Sequence, residues 1–105
     1  MIQDLTPQEF QDYLVDDEVI LVDVRDQWEF DICQIKGAIL MPLGEITNSY
    51  VNLNKDSKIA LYCHSGTRSM HAADFLLSQG FESLANLQGG IDAWAQEIDT
   101  TLERY

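Results

Sequence analysis

Basic residues are scarce in this 105-residue chain, which has six of them against 18 acidic ones and a net charge of -12 at pH 7. Such a charge argues against nucleic acid and anionic membranes as partners. No apolar run approaches the ~18 residues of a membrane span, and the N-terminus lacks a basic, apolar leader. The two cysteines therefore favour free thiols in a reducing compartment, and we expect a cytoplasmic protein.

Internal repeats, low-complexity tracts and linkers are also missing, so residues 1–105 are expected to form one domain. A hydrophobic content of 46% suffices for a core without metal or disulfide cross-links. Apolar runs predict strands at 19–24, 59–62 and 81–87, and residues 36–43 are expected to form a turn, a short strand and a proline stop. Spacing and capping signals predict helices from Thr6 to about residue 14, at 27–32, 44–53 and 70–79, and from residue 91. Alternating strands and helices indicate an α/β fold whose parallel sheet is covered on both faces.

The segment between the strand at 59–62 and the helix at 70–79 carries the candidate site. It consists of Cys63, His64, Ser65, Gly66, Thr67, Arg68 and Ser69. Anions bind where a strand ends and a helix begins, and Gly66 lets consecutive N–H groups converge on one point. The helix N-terminus and Arg68 would both stabilise a thiolate, so Cys63 is a candidate nucleophile. The hydroxyls that can donate to it are those of Ser65, Thr67 and Ser69.

Five ordered segments span nearly the whole chain and form a recognisable pattern. They are Val22-Asp23-Val24-Arg25, Trp28-Glu29-Phe30, Ile35-Lys36-Gly37-Ala38, the loop 63–69 and Leu87-Gln88-Gly89-Gly90-Ile91-Asp92-Ala93-Trp94. The pattern resembles the single-domain rhodaneses, sulfurtransferases that carry sulfur as a cysteine persulfide. The resemblance implies a three-layer α/β/α rhodanese-like fold with a five-stranded parallel sheet. The chain departs from the family at Cys33-Gln34, where Gly-His is frequent, and at Lys36, where proline is frequent.

The resemblance makes Cys63 the persulfide-forming residue and Arg68 a catalytic and substrate-binding residue, and it implies no cofactor. Cys63 would accept a sulfane sulfur, for example from thiosulfate, and pass it to a thiol, cyanide or a protein acceptor. A protein persulfide is a further expected donor. Arg68 would hold the oxygens of a small anionic donor through its fork of N–H groups. The substrate-binding loop is completed by His64, Ser65, Gly66, Thr67 and Ser69.

Two other functions remain open from the sequence. Rhodanese-like domains without activity serve as regulatory or protein-binding modules, but they have usually lost the cysteine, whereas Cys63 is present here. Cysteine-dependent phosphatases place five residues between cysteine and arginine. Here four separate Cys63 from Arg68, which indicates a cradle sized for one sulfur atom rather than a phosphate.

The other histidines and cysteines are expected to have ordinary roles. We expect His64 to be an exposed loop residue that tunes local charge, and His71 to lie on the following helix. Cys33, Cys63 and the two histidines have irregular spacing without a Cys-x-x-Cys pair, which disfavours a metal site. Cys33 is expected to be a small buried apolar residue rather than a redox partner of Cys63.

Two further features indicate structural roles. Asp23 and Arg25 have opposite charges at the end of a predicted strand, which predicts a structural ion pair rather than catalysis. Trp94 lies on the last predicted helix and is expected to anchor the core rather than bind a ligand.

Overall fold

The computed structural model describes all 105 residues and contains five strands and five α-helices. The strands are β1 (Ile2–Leu5), β2 (Ile20–Asp23), β3 (Ile39–Leu40), β4 (Ile59–Tyr62) and β5 (Leu84–Leu87). The helices are α1 (Pro7–Tyr13), α2 (Gln27–Ile32), α3 (Ile46–Ser49), α4 (Thr67–Ser78) and α5 (Gly90–Glu97). Short 3-10 turns at Leu43–Glu45 and Tyr50–Asn52 flank α3. None of the helices has the length and apolar character needed to cross a membrane.

The strands form one sheet in the order β1-β5-β4-β2-β3, and every neighbouring pair is parallel. This confirms the expected α/β fold with a five-stranded parallel sheet. β4 lies at the centre, where Leu61 is in register with Val22 of β2 and Asn86 of β5. Because the strands are parallel, the carboxyl ends of β2, β4 and β5 meet at one edge of the sheet. The segment 63–69 follows β4 directly at that edge.

Successive residues of the central strands point to opposite faces and build two separate cores. On one face, Val22 and Leu61 pack with Leu76 of α4. On the other face, Tyr62 packs with Phe10 of α1 and with Trp94 of α5. Trp94 is 7% exposed and its ring meets Phe10 edge-on, which confirms its expected role as a core anchor. A sheet buried on both sides explains why β4 is apolar along its whole length.

The start of α1 confirms the capping signal in the sequence. Thr6 Oγ1 accepts the N–H of Glu9 at 3.3 Å, and the Glu9 carboxylate accepts the N–H of Thr6 at 2.9 Å. This reciprocal box satisfies two backbone donors that the first helical turn leaves free.

The local sequence pattern did not predict β1. Its segment Ile2-Gln3-Asp4-Leu5 has two exposed polar residues in the middle, so it has no apolar run. It is an edge strand whose pairing with β5 is a long-range contact. Boundaries also differ: α4 begins at Thr67 rather than residue 70, and β5 begins at Leu84 rather than residue 81. Of the helix predicted at 44–53, only Ile46–Ser49 is α-helical.

Candidate active site

Cys63 occupies the turn between β4 and α4, and its sulfur faces donors from that turn. Gly66 donates its backbone N–H to Cys63 Sγ at 3.1 Å, and Ser69 Oγ lies 3.4 Å from the same sulfur. Gly66 has φ of 104°, a left-handed conformation that a residue with a side chain adopts only under strain. The turn therefore directs an N–H and a hydroxyl at the sulfur, as the sequence predicts for Gly66 and Ser69.

The thiol lies deep in the turn. Cys63 is 1% exposed and Ser69 is 0% exposed. The Ser69 hydroxyl also lies 3.3 Å from the Gly66 carbonyl, and its single proton can serve only one of the two acceptors at a time. A reagent that reaches Cys63 must therefore present a slim terminal atom, and the Ser69 hydroxyl can turn toward the sulfur when negative charge develops there.

The other predicted loop residues face elsewhere. Ser65 and Thr67 are exposed, make no hydrogen bond to Cys63, and line an open polar cleft of about 360 Å³ beside the turn. His71 lines the same cleft from α4. His64 is half-buried rather than exposed, because its ring stacks on that of Tyr105 with 4.2 Å between ring centres. The expectation of an exposed His64 was therefore wrong.

The first turn of α5 supports the loop from behind. Ile91 donates its N–H to the Cys63 carbonyl at 2.9 Å, and Asp92 donates to the His64 carbonyl at 3.1 Å. Gly90 has φ of 63°, and a Cβ at this position would overlap both carbonyls. The Gly89-Gly90 pair thus allows α5 to hold the two carbonyls while the Gly66 N–H faces the sulfur.

Arg68 is bound by a carboxylate that the sequence reasoning did not place in the site. Arg68 Nη1 donates to Glu29 Oε1 at 2.7 Å, and Nη2 donates to Oε2 at 2.8 Å. The Arg68 side chain is 35% exposed, whereas that of Glu29 is 4% exposed. The hydrogen bonds from Arg68 lower the pKa of Glu29 to about 2, with the Tyr105 hydroxyl and the Asp26 N–H adding to the effect against burial. The pair is therefore fully charged near neutral pH.

The signal that could have found Glu29 is local. Glu29 lies three residues after Asp26, the spacing of a helix N-terminal box, and its Oε1 accepts the Asp26 N–H at 3.2 Å. That bond fixes the carboxylate at the start of α2. The contact with Arg68 joins residues 39 positions apart and is visible only in three dimensions.

Asp23 and Arg25 form the expected structural ion pair, which is confirmed. Arg25 Nη2 lies 2.6 Å from Asp23 Oδ2, and both side chains are 0% exposed. Arg25 also donates to the Cys33 carbonyl at 2.7 Å and to the Tyr105 hydroxyl at 2.8 Å. The guanidinium thus ties the end of β2 to the end of α2 and to the C-terminal segment.

Tyr105 joins the two ion pairs and was not anticipated. Its hydroxyl accepts from Arg25 and donates to Glu29 Oε2 at 2.7 Å. Burial raises the pKa of Tyr105 to about 12, so the phenol keeps the proton that it donates. Its ring also meets Trp28 edge-on, with 5.8 Å between ring centres.

These features agree with the comparison with known proteins. A family model for the rhodanese-like domain matches residues 6–97. The chain belongs to the rhodanese-like family. A crystal structure of a rhodanese-like domain protein from Staphylococcus aureus has a TM-score of 0.82 to it, with 29% identity and 98% of each chain covered.

Curated relatives of this rhodanese-like domain are longer proteins. The tRNA uridine(34) hydroxylase of Staphylococcus carnosus is 35% identical over 107 residues, which cover 96% of this chain and 34% of that protein. The probable adenylyltransferase/sulfurtransferase MoeZ of Mycobacterium tuberculosis is 38% identical, with 96% and 26% covered. The chain thus spans about a third of the first and a quarter of the second.

The two cysteines of the rhodanese-like domain are free and lie in different cores. Cys33 is 8% exposed and packs with Ile35 and Trp94, whereas Cys63 belongs to the core on the opposite face of the sheet. Cys33 therefore packs as the buried apolar residue that was expected. No three His, Cys, Asp or Glu side chains form a group that could hold a metal ion.

Proposed function

We propose that this rhodanese-like domain is a sulfurtransferase that carries a sulfane sulfur on Cys63. The observation that supports this most is the buried Cys63 sulfur, which faces the Gly66 N–H and the Ser69 hydroxyl at the start of the 12-residue helix α4. These donors and the helix N-terminus favour a thiolate and can stabilise the outer sulfur of a persulfide. Because Cys63 lies deep in the turn, only a narrow terminal group can reach its sulfur, and this suits the transfer of a single sulfur atom.

The proposed cycle has two half-reactions. The Cys63 thiolate attacks the outer sulfur of a sulfane donor, the donor's S–S bond breaks, and its electron pair leaves with sulfite or with a thiolate. A thiol, a cyanide ion or an acceptor protein then attacks the outer sulfur of the Cys63 persulfide and restores the thiolate. No external oxidant or reductant is needed, because the sulfane atom moves without net electron transfer.

Arg68 and the loop are proposed to bind the donor. The Arg68 guanidinium is part-exposed at the loop, where its N–H groups can donate hydrogen bonds to the sulfur donor. Glu29 accepts one N–H from each of the two terminal nitrogens, which leaves three of the five guanidinium N–H groups able to donate to an oxygen of the sulfur donor. The chemistry requires a free thiolate, which agrees with the reducing, cytoplasmic location expected from the sequence.

The test is to incubate the pure protein with sulfane donors and to follow intact mass and thiocyanate production. We expect one added sulfur atom that maps to Cys63, and complete loss of both signals in Cys63→Ser. The matched control is Cys33→Ser, which should keep transfer because Cys33 packs in the opposite core. Thiocyanate production that persists in Cys63→Ser would contradict the mechanism. A Cys63 that stays unmodified with every donor would instead favour a binding module.

A further inference from the structure

The active-site loop has a positive residue whose charge is already matched. Both carboxylate oxygens of Glu29 are held by Arg68, at 2.7 and 2.8 Å. The other arginine in this region, Arg25, is paired with Asp23 and is 0% exposed. The side of the loop that carries Arg68 therefore presents a neutral ion pair rather than a free cation.

Glu29 is anchored so that it cannot easily leave Arg68. Its Oε2 also accepts the Tyr105 hydroxyl at 2.7 Å, and its Oε1 also accepts the Asp26 N–H at 3.2 Å. Its side chain is 4% exposed, so water cannot replace Arg68 without a rearrangement. A displaced Glu29 would remain beside the incoming group as an unpaired negative charge, which is costly in a buried position.

We propose that Glu29 is a specificity-determining residue that directs this site toward persulfide donors and away from dianionic thiosulfate. It does so by neutralising the Arg68 charge and by accepting one N–H from each of its two terminal nitrogens, so that a dianion gains little attraction from this arginine. The assignment rests on the proposed sulfurtransferase function and names its donor class.

The outer sulfur of a persulfide is a group that the rest of the loop can bind. Its outer sulfur carries no oxygens, so it needs only the donors that face Cys63, namely the Gly66 N–H and the Ser69 hydroxyl. In the balanced step, the Cys63 thiolate attacks the outer sulfur of R–S–SH and forms Cys63–S–SH. The S–S bond of the donor breaks, and its electron pair leaves with R–S⁻. The donor reacts in its protonated form R–S–SH, so no dianion has to enter beside Glu29.

The first experiment compares two alkylating reagents of nearly equal size, neutral iodoacetamide and anionic iodoacetate, on wild type and Glu29→Gln. Alkylation is mapped to Cys63 by peptide mass spectrometry. In Glu29→Gln one negative charge is lost and the Arg68 charge is no longer neutralised, so we expect the iodoacetate-to-iodoacetamide rate ratio to rise by about tenfold. A general change in thiolate reactivity would affect both reagents equally and cancel in the ratio.

The matched control is Asp16→Asn, which removes one carboxylate of an exposed ion pair with Lys58. It changes the net charge by the same amount, and the ratio should stay within about twofold of wild type because the pair is solvent-exposed and screened. An unchanged ratio in Glu29→Gln, or an equal rise in Asp16→Asn, would overturn the role of Glu29.

The second experiment measures sulfur addition to Cys63 from thiosulfate and from the persulfide of the neutral thiol 2-mercaptoethanol. We expect the persulfide to react at least about tenfold faster with wild type, and Glu29→Gln to reduce that preference. If Glu29→Gln does not fold, the donor preference is tested instead by measuring how the two wild-type rates depend on salt concentration. Screening should speed the reaction with dianionic thiosulfate clearly more than the reaction with the persulfide, which carries at most one negative charge.

The outcomes separate the two proposals. Equal rates for both donors, or a thiosulfate rate that falls with salt, would overturn the donor assignment and leave the sulfurtransferase function standing. A Cys63 that neither donor modifies would overturn the sulfurtransferase function, and the donor assignment with it.

Discussion

Two arginine–carboxylate pairs lie side by side at the carboxyl edge of the sheet and differ chiefly in exposure. In Arg25–Asp23, both side chains are 0% exposed, and the two residues are separated by one position in the chain. In Arg68–Glu29, the arginine is 35% exposed and the residues are 39 positions apart. The Arg25–Asp23 pair is therefore a buried structural contact, whereas the Arg68–Glu29 pair forms part of the active-site surface.

The difference shows how burial assigns a role to an ion pair. A fully buried pair loses its hydration on both sides, so its partners are held together by the cost of separating them. In the part-exposed pair, Arg68 keeps contact with solvent and with incoming molecules, while Glu29 stays buried and anchored beside it. Arg25 is accordingly expected to determine stability, whereas Arg68 and Glu29 determine which molecules reach Cys63.

The largest expected effect comes from breaking the buried pair with Arg25→Met. The Asp23 carboxylate would remain at 0% exposure without its partner, so we expect a loss of about 3–5 kcal/mol in the free energy of unfolding. Urea denaturation provides the measurement. The control is Arg104→Met, which breaks a pair with Asp92 that is 51% and 36% exposed and should cost less than about 1 kcal/mol. Equal losses in the two variants would contradict the comparison.

An intermediate effect is expected from Glu29→Gln, and it depends on pH. Folding lowers the pKa of Glu29 from 4.5 to about 2, because Arg68 binds the carboxylate. The stabilisation is therefore complete above about pH 4.5 and is lost as the pH falls toward 2. We expect Glu29→Gln to cost about 1–2 kcal/mol at about pH 7, and the difference from wild type to shrink at about pH 3.

Urea denaturation at the two pH values measures this difference. Glu82→Gln, at an exposed position, is the control and should show no comparable dependence. A cost for Glu29→Gln that stays constant between the two pH values would show that the ionised pair contributes nothing to stability.

The smallest effect is expected from Tyr105→Phe, which removes the hydroxyl that joins the two pairs. The variant loses hydrogen bonds of 2.8 Å from Arg25 and 2.7 Å to Glu29, so we expect a cost of about 1 kcal/mol. The control is Tyr50→Phe, since the Tyr50 hydroxyl makes no hydrogen bond within the chain and its ring contact with Phe75 is kept.

A double variant sharpens the comparison further. If the hydroxyl couples the pairs, the cost of Tyr105→Phe should fall in the Glu29→Gln background. Additive costs would show that the two pairs act independently.

Much of the fold could be predicted from the sequence because its signals are local. The apolar run that contains β4, the capping box at Thr6 and the glycine at position 66 each act within a few residues. β1 was missed because it is a short edge strand with two exposed polar residues, and only its pairing with β5 makes it a strand. His64 was expected to be exposed because the ring that covers it belongs to Tyr105, which is distant in the sequence.

The sequence by itself determined the cysteine turn, the spacing to Arg68 and the family, because these are properties of consecutive or regularly spaced residues. Only the tertiary structure decided that Arg68 would meet Glu29 and that Tyr105 would join the two ion pairs. The physical reason is the strand order, which places β2 beside β4 and so brings the segments that follow them together at one edge. Charge pairing across that edge depends on the packing of the whole sheet, so no local sequence pattern predicts it.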